Sequence, residues 1–262
     1  MKEIKTAKEI HGILLDIAKT FHRICESHAI PYYMLGGTML GAVRHKGFIP
    51  WDDDMDFGVP RKYFKELQEI LAKELPEKYG ILTIKNSKAL LIDIMKVHNK
   101  RTVMKELYKE NVEEEFGINI DIFPLDRASE KGGLKANLII CLKGLQQYRF
   151  LSINQRPWYK KIVACVIKTL FLPVTRLTII NFINTYLIEK EGAYIANHFG
   201  TWGKRETVAA NVIGAPILYC FEDTEFYGVA NPVDYLSSLC GDYMTLPPEN
   251  KRHLHITDVF WR

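Results

Sequence analysis

Two short pieces, Gly36-Gly37-Thr38 and Trp51-Asp52-Asp53-Asp54-Met55-Asp56-Phe57-Gly58-Val59, decide how the fold is read. Asp54 and Asp56 alternate with Met55 and Phe57, the period of a half-buried strand, so both carboxylates leave one face and both apolar side chains the other. Upstream, Tyr32-Tyr33-Met34-Leu35 reads as a short strand that closes at Gly36-Gly37. Thr38 is then the expected N-cap of a helix carrying Met39, Leu40 and Val43. Strand, glycine turn, helix and acidic strand follow one another within a few dozen residues.

Paired carboxylates on one face repel unless a cation sits between them, and hard oxygen ligands suit Mg²⁺ or Mn²⁺. Asp52 extends the group from the loop entering the strand. In Asn119-Ile120-Asp121-Ile122-Phe123 a second strand carries Asp121 between two isoleucines, a setting that disfavours an unpartnered charge. If the two strands are neighbours, Asp121 joins the acids. Gly36, Gly37 and Thr38 at a helix start offer backbone N–H groups to a phosphate, with no Cβ in the way. Together these features describe a grip on nucleotide phosphates through metal and backbone while a hydroxyl attacks in line. A calcium loop counted from Asp52 fails, because Phe57 stands where Gly is required and Tyr63 where Glu is. A sugar-nucleotide glycosyltransferase also uses Asp-x-Asp, but leaves the glycine turn and the third Asp unexplained.

Outward from this core, Ile10, Ile13, Leu14, Ile17, Phe21 and Ile24 predict an amphipathic helix from Ala7 to about Ser27. Pro60 starts another, with Phe64, Leu67, Ile70 and Leu71 facing inward. Strands are expected over Leu90–His98, Gly117–Phe123 and, more weakly, Ile81–Ile84. Helices are expected over 133–150, 160–172 and 175–198, with loop-rich stretches at Trp202–Pro216 and Asn231–Pro248. The expected fold class is α/β (α+β), a small mixed sheet in the first half and a mostly helical second half. Residues 1–130 would form the catalytic core, and 131–262 would complete the same domain.

The chain's 262 residues suit one such domain, and 47% apolar with 25% charged residues exclude a disordered or fibrous chain. Thirty-five basic against 31 acidic residues permit an anionic partner but are too balanced for a nucleic-acid binder. The most apolar segment, Ile162–Leu187, is interrupted by Lys168, Pro173 and Arg176, so no membrane span is expected. The charged start Met1-Lys2-Glu3-Ile4-Lys5 is not a secretory signal, and the expected location is cytoplasmic. Cys25, Cys141, Cys165, Cys220 and Cys240 show no metal or disulfide spacing and are expected to be buried as small apolar side chains.

The block from Gly36 to Asp56, which includes Arg44-His45-Lys46-Gly47-Phe48-Ile49-Pro50-Trp51, resembles the motif of the LicD family. That family contains bacterial phosphocholine transferases and is related to the fukutin-type glycan phosphotransferases. The likeness recurs at Gly117–Asp126 and at Tyr235-Leu236 and Gly241–Arg252, in the family's order. It implies a nucleotidyltransferase-like fold, dependence on Mg²⁺ or Mn²⁺, and transfer of phosphocholine from CDP-choline. The implied acceptor is a sugar hydroxyl of lipopolysaccharide, teichoic acid or capsule, and CMP leaves. By the resemblance Asp52, Asp54 and Asp56 hold the metal, and Asp121 is general base or second metal ligand. Gly36, Gly37, Thr38, Arg44, His45 and Lys46 face phosphate, Arg44 foremost. CDP-glycerol or CDP-ribitol as donor, or an inactive glycan-assembly scaffold, are the alternatives.

Lesser candidates are Lys96, His98 and Arg101 for the charge developing on the leaving nucleotide, and His253 and His255 if the tail folds back. Trp51, Tyr32, Tyr33, Trp202 and Tyr243 are eligible for a cage around a quaternary ammonium. The apolar segment Lys160–Lys190 is expected to be a buried helical pair over the sheet. The other reading of that segment is an interfacial helix that parks the enzyme peripherally on the inner face of the cytoplasmic membrane.

Overall fold

The computed structural model describes residues 2–4, 6–106, 114–150, 157–170, 174–252 and 256–262. Strand β1 (Lys2–Glu3) leads into α1 (Ala7–Ser27). Thr6 caps that helix, its Oγ1 accepting from Glu9 N at 3.2 Å and donating to Glu9 Oε2 at 3.0 Å. All six apolar positions predicted to face the core are buried. Then come β2 (Tyr33–Met34), α2 (Gly36–Arg44), β3 (Asp56–Pro60), α3 (Arg61–Glu74), β4 (Tyr79–Thr83), β5 (Met95–Asn99), β6 (Thr102–Glu106) and β7 (Asn119–Ala128). The second half supplies α4 (Leu134–Phe150), α5 (Trp158–Leu170), α6 (Arg176–Phe182), β8 (Tyr194–Ala196), β9 (Thr207–Ala209) and α7 (Ala210–Ile213). It ends with β10 (Ile217–Phe221), β11 (Thr224–Gly228), α8 (Pro232–Cys240) and β12 (Ile256–Trp261).

The main sheet runs β2-β3-β7-β5-β4, with β3 and β7 parallel and the other pairs antiparallel. Parallel neighbours need a crossover, and here it is long, comprising α3 and the strands β4 to β6. The far end of β7 pairs with β8, which pairs with β9. A separate sheet, β1-β12-β6, brings the two ends of the described chain together. Beneath β3 the fully buried Phe57 ring meets Phe21, Tyr32 and Phe226 at centroid distances of 5.0, 5.6 and 5.9 Å. This aromatic floor holds the strand that carries the acids. At the other end of β3 and β7 the Arg61 guanidinium grips both oxygens of Asp126 (2.7 and 2.9 Å) and one of Asp93 (2.7 Å).

The mixed sheet and the helix-rich second half are as expected from sequence, but several details differ. Thr38 is not an N-cap. Helix α2 begins two residues earlier, Leu35 occupies the cap, and Thr38 Oγ1 accepts from Asp56 N at 2.8 Å instead. The strand expected from Leu90 starts only at Met95, because Arg61 takes the Asp93 carboxylate and Arg176 takes the Leu90 carbonyl. The helix expected over 175–198 ends at Leu187 in a wide turn, with Ile188 N bonding to Ile183 O at 3.1 Å. Gly192 then passes close against Ala128 in a conformation (φ 151°) that favours glycine. The stretches expected to be loop-rich contain β9, α7 and α8. Only Cys25 is buried; the other four cysteines are exposed and none is disulfide-bonded. Helix α5 is not buried either.

Candidate active site

The register of β3 against β7 places Asp56 opposite Asp121, and Asp121 N donates to Met55 O at 2.9 Å. Burial alternates as the strand pattern requires, with Met55 and Phe57 in the core while Asp54 is exposed and Asp56 half-buried. On its other side Asp121 faces Lys96 of β5. The Lys96 ammonium lies 2.6 Å from Oδ1 and 2.9 Å from Oδ2 of Asp121, and donates to Asn119 Oδ1 at 3.0 Å. Three neighbouring strands thus carry Asp56, Asp121 and Lys96 in one row. The sequence reading ranked Lys96 among the lesser candidates; it is the counter-ion of the third acid.

Burial pushes the Asp56 carboxyl well above the usual range, and Asp54, Asp121 and Asp52 push it further. Asp52 rises to about 6, chiefly through burial and then through Asp53. Its loop is tied down by His11, whose Nε2 donates to the Asp52 carbonyl at 2.6 Å while the ring stacks on Phe48. Such a wall favours a cation. Among the described residues no three Asp, Glu, His or Cys side chains form a ready-made metal cage. The chemistry of the donor set still fits Mg²⁺, which takes one or two carboxylates and completes its shell with water and substrate phosphate. Asp54 and Asp56 are the pair that fits this role.

The glycine turn abuts the same acids. Gly36 sits at φ 49°, and a Cβ on it would lie 3.3 Å from Asp56 Oδ2, while one on Gly37 would lie 2.6 Å from Asp52 Oδ2. A side chain there would crowd the carboxylates, so glycine lets the backbone and the acids lie this close. The buried Tyr235 of α8 holds the turn from behind, its hydroxyl accepting from Gly36 N at 3.1 Å. Sequence reasoning missed this role, although Tyr235 opens the third block of family likeness. That block folds onto α2 and the loop that follows it. Tyr243 O accepts from Arg44 Nη1 at 2.7 Å, and the Arg252 guanidinium lies 4.9 Å over the Trp51 ring.

Arg44 Nε donates to His45 Nε2 at 2.9 Å, so that nitrogen keeps its lone pair, and burial with the Arg44 charge lowers the His45 pKa. Lys46 is exposed at a left-handed corner (φ 59°) whose carbonyl accepts from Glu222 N. His98 is lowered to about 4 by burial and by Lys100 and Arg262, and its Nδ1 accepts from Gly117 N. Arg101 is exposed in the β5–β6 turn. Neither joins the acidic row. His253 and His255 lie outside the described residues. Tyr32 and Tyr33 are core residues rather than cage walls, with Tyr33 donating to Gly214 O at 2.8 Å. A cavity of about 790 Å³ lined by Tyr33, Tyr63, Leu125 and Ile188 opens at the opposite ends of β3 and β7, and no acid of the row lines it.

Behind the site, Glu206 is buried, accepting from Trp202 N at 2.8 Å and from Asn197 Nδ2 at 2.6 Å. Burial raises its pKa from 4.5 to about 7. Between those values the folded state holds a proton that the unfolded chain releases, so stability falls as pH rises through that window. The thermal midpoint is therefore expected to rise between about pH 8 and pH 5.5, by the equivalent of a few kcal/mol. Glu206→Gln should flatten that slope, and the same slope in both proteins would assign it elsewhere.

Residues 29–140 match the family model of the LicD/FKTN/FKRP nucleotidyltransferase domain. Over 97% of its length the chain is 28% identical to the lipopolysaccharide cholinephosphotransferase LicD of Haemophilus influenzae, 97% of which is covered. An uncharacterized protein of Rickettsia prowazekii is 31% identical over 44% of this chain and 45% of its own. The mouse ribitol 5-phosphate transferase FKRP is 39% identical over 46 residues, 18% of this chain and 9% of that protein. The family-model match spans the acidic row, since 29–140 include Gly36, Asp54, Asp56, Lys96 and Asp121.

Proposed function

Because the chain belongs to the LicD family and is a phosphotransferase, we propose that it moves phosphocholine from CDP-choline to a sugar hydroxyl of a bacterial surface glycan. The observation that carries the chemistry is the pairing of Asp56 with Asp121 across β3 and β7, with Asp56 and Asp52 lying against the Gly36-Gly37 turn. The phosphocholine cargo is that of the cholinephosphotransferase to which the chain is similar along almost its whole length.

The acceptor oxygen forms a bond to the phosphocholine phosphorus, the bond from that phosphorus to the CMP oxygen breaks, and CMP departs with the electron pair. Asp54 and Asp56, with Asp52 behind them, are the residues to hold Mg²⁺ or Mn²⁺, which when bound neutralises charge on the phosphoryl oxygens. Backbone N–H groups after Gly36 orient those oxygens. Asp121 accepts the acceptor's proton, and Lys96 keeps its carboxylate aimed. Arg44, fixed by Tyr243 O, meets donor phosphate. The reading puts the enzyme in the cytoplasm, peripheral to the inner face of the membrane where a lipid-linked glycan is met. The short likeness to a ribitol 5-phosphate transferase supports CDP-ribitol as the second donor reading, with CDP-glycerol beside it.

The test is Mg²⁺-dependent CMP release from CDP-choline, CDP-glycerol and CDP-ribitol, with a UDP-sugar as control, a glycan extract as acceptor and Asp54→Ala as blank. Release from CDP-choline alone is expected. Release from another CDP-alcohol alone overturns the cargo and keeps the mechanism. Silence across the panel overturns the enzyme and leaves a scaffold.

A further inference from the structure

Helix α5 carries an apolar surface with nothing over it among the described residues. Of its described side chains from Trp158 to Thr169, all but Lys160 are exposed. Trp158 is 73% exposed, Tyr159 52%, Ile162 56%, Val163 48% and Val166 50%. Steps of four residues put Trp158, Ile162 and Val166 on one face, with Tyr159 and Val163 beside them. Apolar groups in one continuous face of this kind mark a surface that meets something apolar.

Charge says what it meets. From Lys131 to Ile188 the chain has nine Lys and Arg residues and not one Asp or Glu, in a protein whose charges otherwise nearly balance. Lys160 and Lys161 lie on α5 itself. A helix of this length, about 20 Å, cannot cross a bilayer, and no described helix is long and apolar enough to do so. Lying in the plane, it sinks aliphatic side chains into the acyl boundary, keeps Trp and Tyr at headgroup level and presents lysines to anionic lipid. We propose that α5 docks this protein on the anionic surface of a lipid bilayer.

That docking brings the enzyme to a lipid-linked acceptor rests on the function proposed above; the docking itself rests only on exposure and charge. The full chain is therefore mixed with vesicles of phosphatidylcholine alone, or with added phosphatidylglycerol, and followed by co-sedimentation and tryptophan emission. Binding to the anionic vesicles is expected, weakening with salt, with a blue shift that Trp158→Phe abolishes. Ile162→Ser/Val166→Ser should weaken binding roughly tenfold or more. Lys160→Gln/Lys161→Gln should weaken it on the order of tenfold, on anionic vesicles only. Trp158, Lys161, Ile162 and Val166 are exposed and Lys160 is half-buried, so thermal midpoints should match the parent. Absence of binding, or binding indifferent to the α5 variants, overturns the proposal. So does a dimer in solution that Ile162→Ser/Val166→Ser dissolves, which would give this face to a second copy. Vesicle binding by a protein that releases no CMP would leave the docking intact and sink the transferase reading alone.

Discussion

Asp56→Ala, and separately Asp54→Ala, is expected to fold normally and to lose roughly a thousandfold or more of transferase activity, about 4 kcal/mol of transition-state stabilisation. The expectation follows from position. Asp56 lies against Gly36 of the glycine turn and Asp54 is exposed two residues before it, while Met55 and Phe57 hold the strand from the core side. Losing either carboxylate removes a ligand for the cation without touching the aromatic floor. Removing Asp56 also relieves the burial and the like charges that hold its carboxyl high, so its thermal midpoint near neutral pH should not fall below that of the parent. Steady-state CMP release beside a melting curve checks both statements. Near-parent activity in either variant would remove these residues from the catalytic machinery.

The largest expected loss of stability is at Arg61, remote from the chemistry. Asp126 is the inner partner, its side chain wholly buried, and Arg61 joins it to Asp93 across the ends of β3 and β7. Arg61→Met keeps the length of the side chain but strands the Asp126 carboxylate in the core, which should cost about 3–5 kcal/mol in urea denaturation. Asp126→Leu combined with Arg61→Met removes the orphaned charge as well and should recover a large part of the loss. A single-variant loss below about 1 kcal/mol would mean that the triad does not tie the sheet to α3. The acids at the two ends of β3 and β7 thus do different work. Asp126 has an arginine locked onto it, whereas Asp54 and Asp56 are the pair proposed to hold the cation.

Helix α1 was legible to the residue, because an amphipathic period bounded by a cap is a local property and burial simply follows it. The same holds for Asp54 and Asp56, whose common face follows from alternation alone. The Thr38 cap was misread because its hydroxyl has a stronger use in bonding the backbone of β3, a contact no window around residue 38 contains. The burial expected of α5 failed for a related reason. Apolar periodicity marks a face that avoids water, but does not say whether protein or some other apolar phase covers it.

By itself the sequence determined which way the side chains of each strand point: the alternation of acids with apolar residues and the glycine turn are written in local pattern. The tertiary structure decided who stands beside whom. Asp121 meets Asp56 only through the parallel register of β3 and β7, Lys96 meets Asp121 only because β5 pairs on the other side, and Tyr235 reaches Gly36 from near the chain's end. Pairing between distant strands is set by the packing of the whole sheet, where many registers satisfy the same alternation and only one also buries the core.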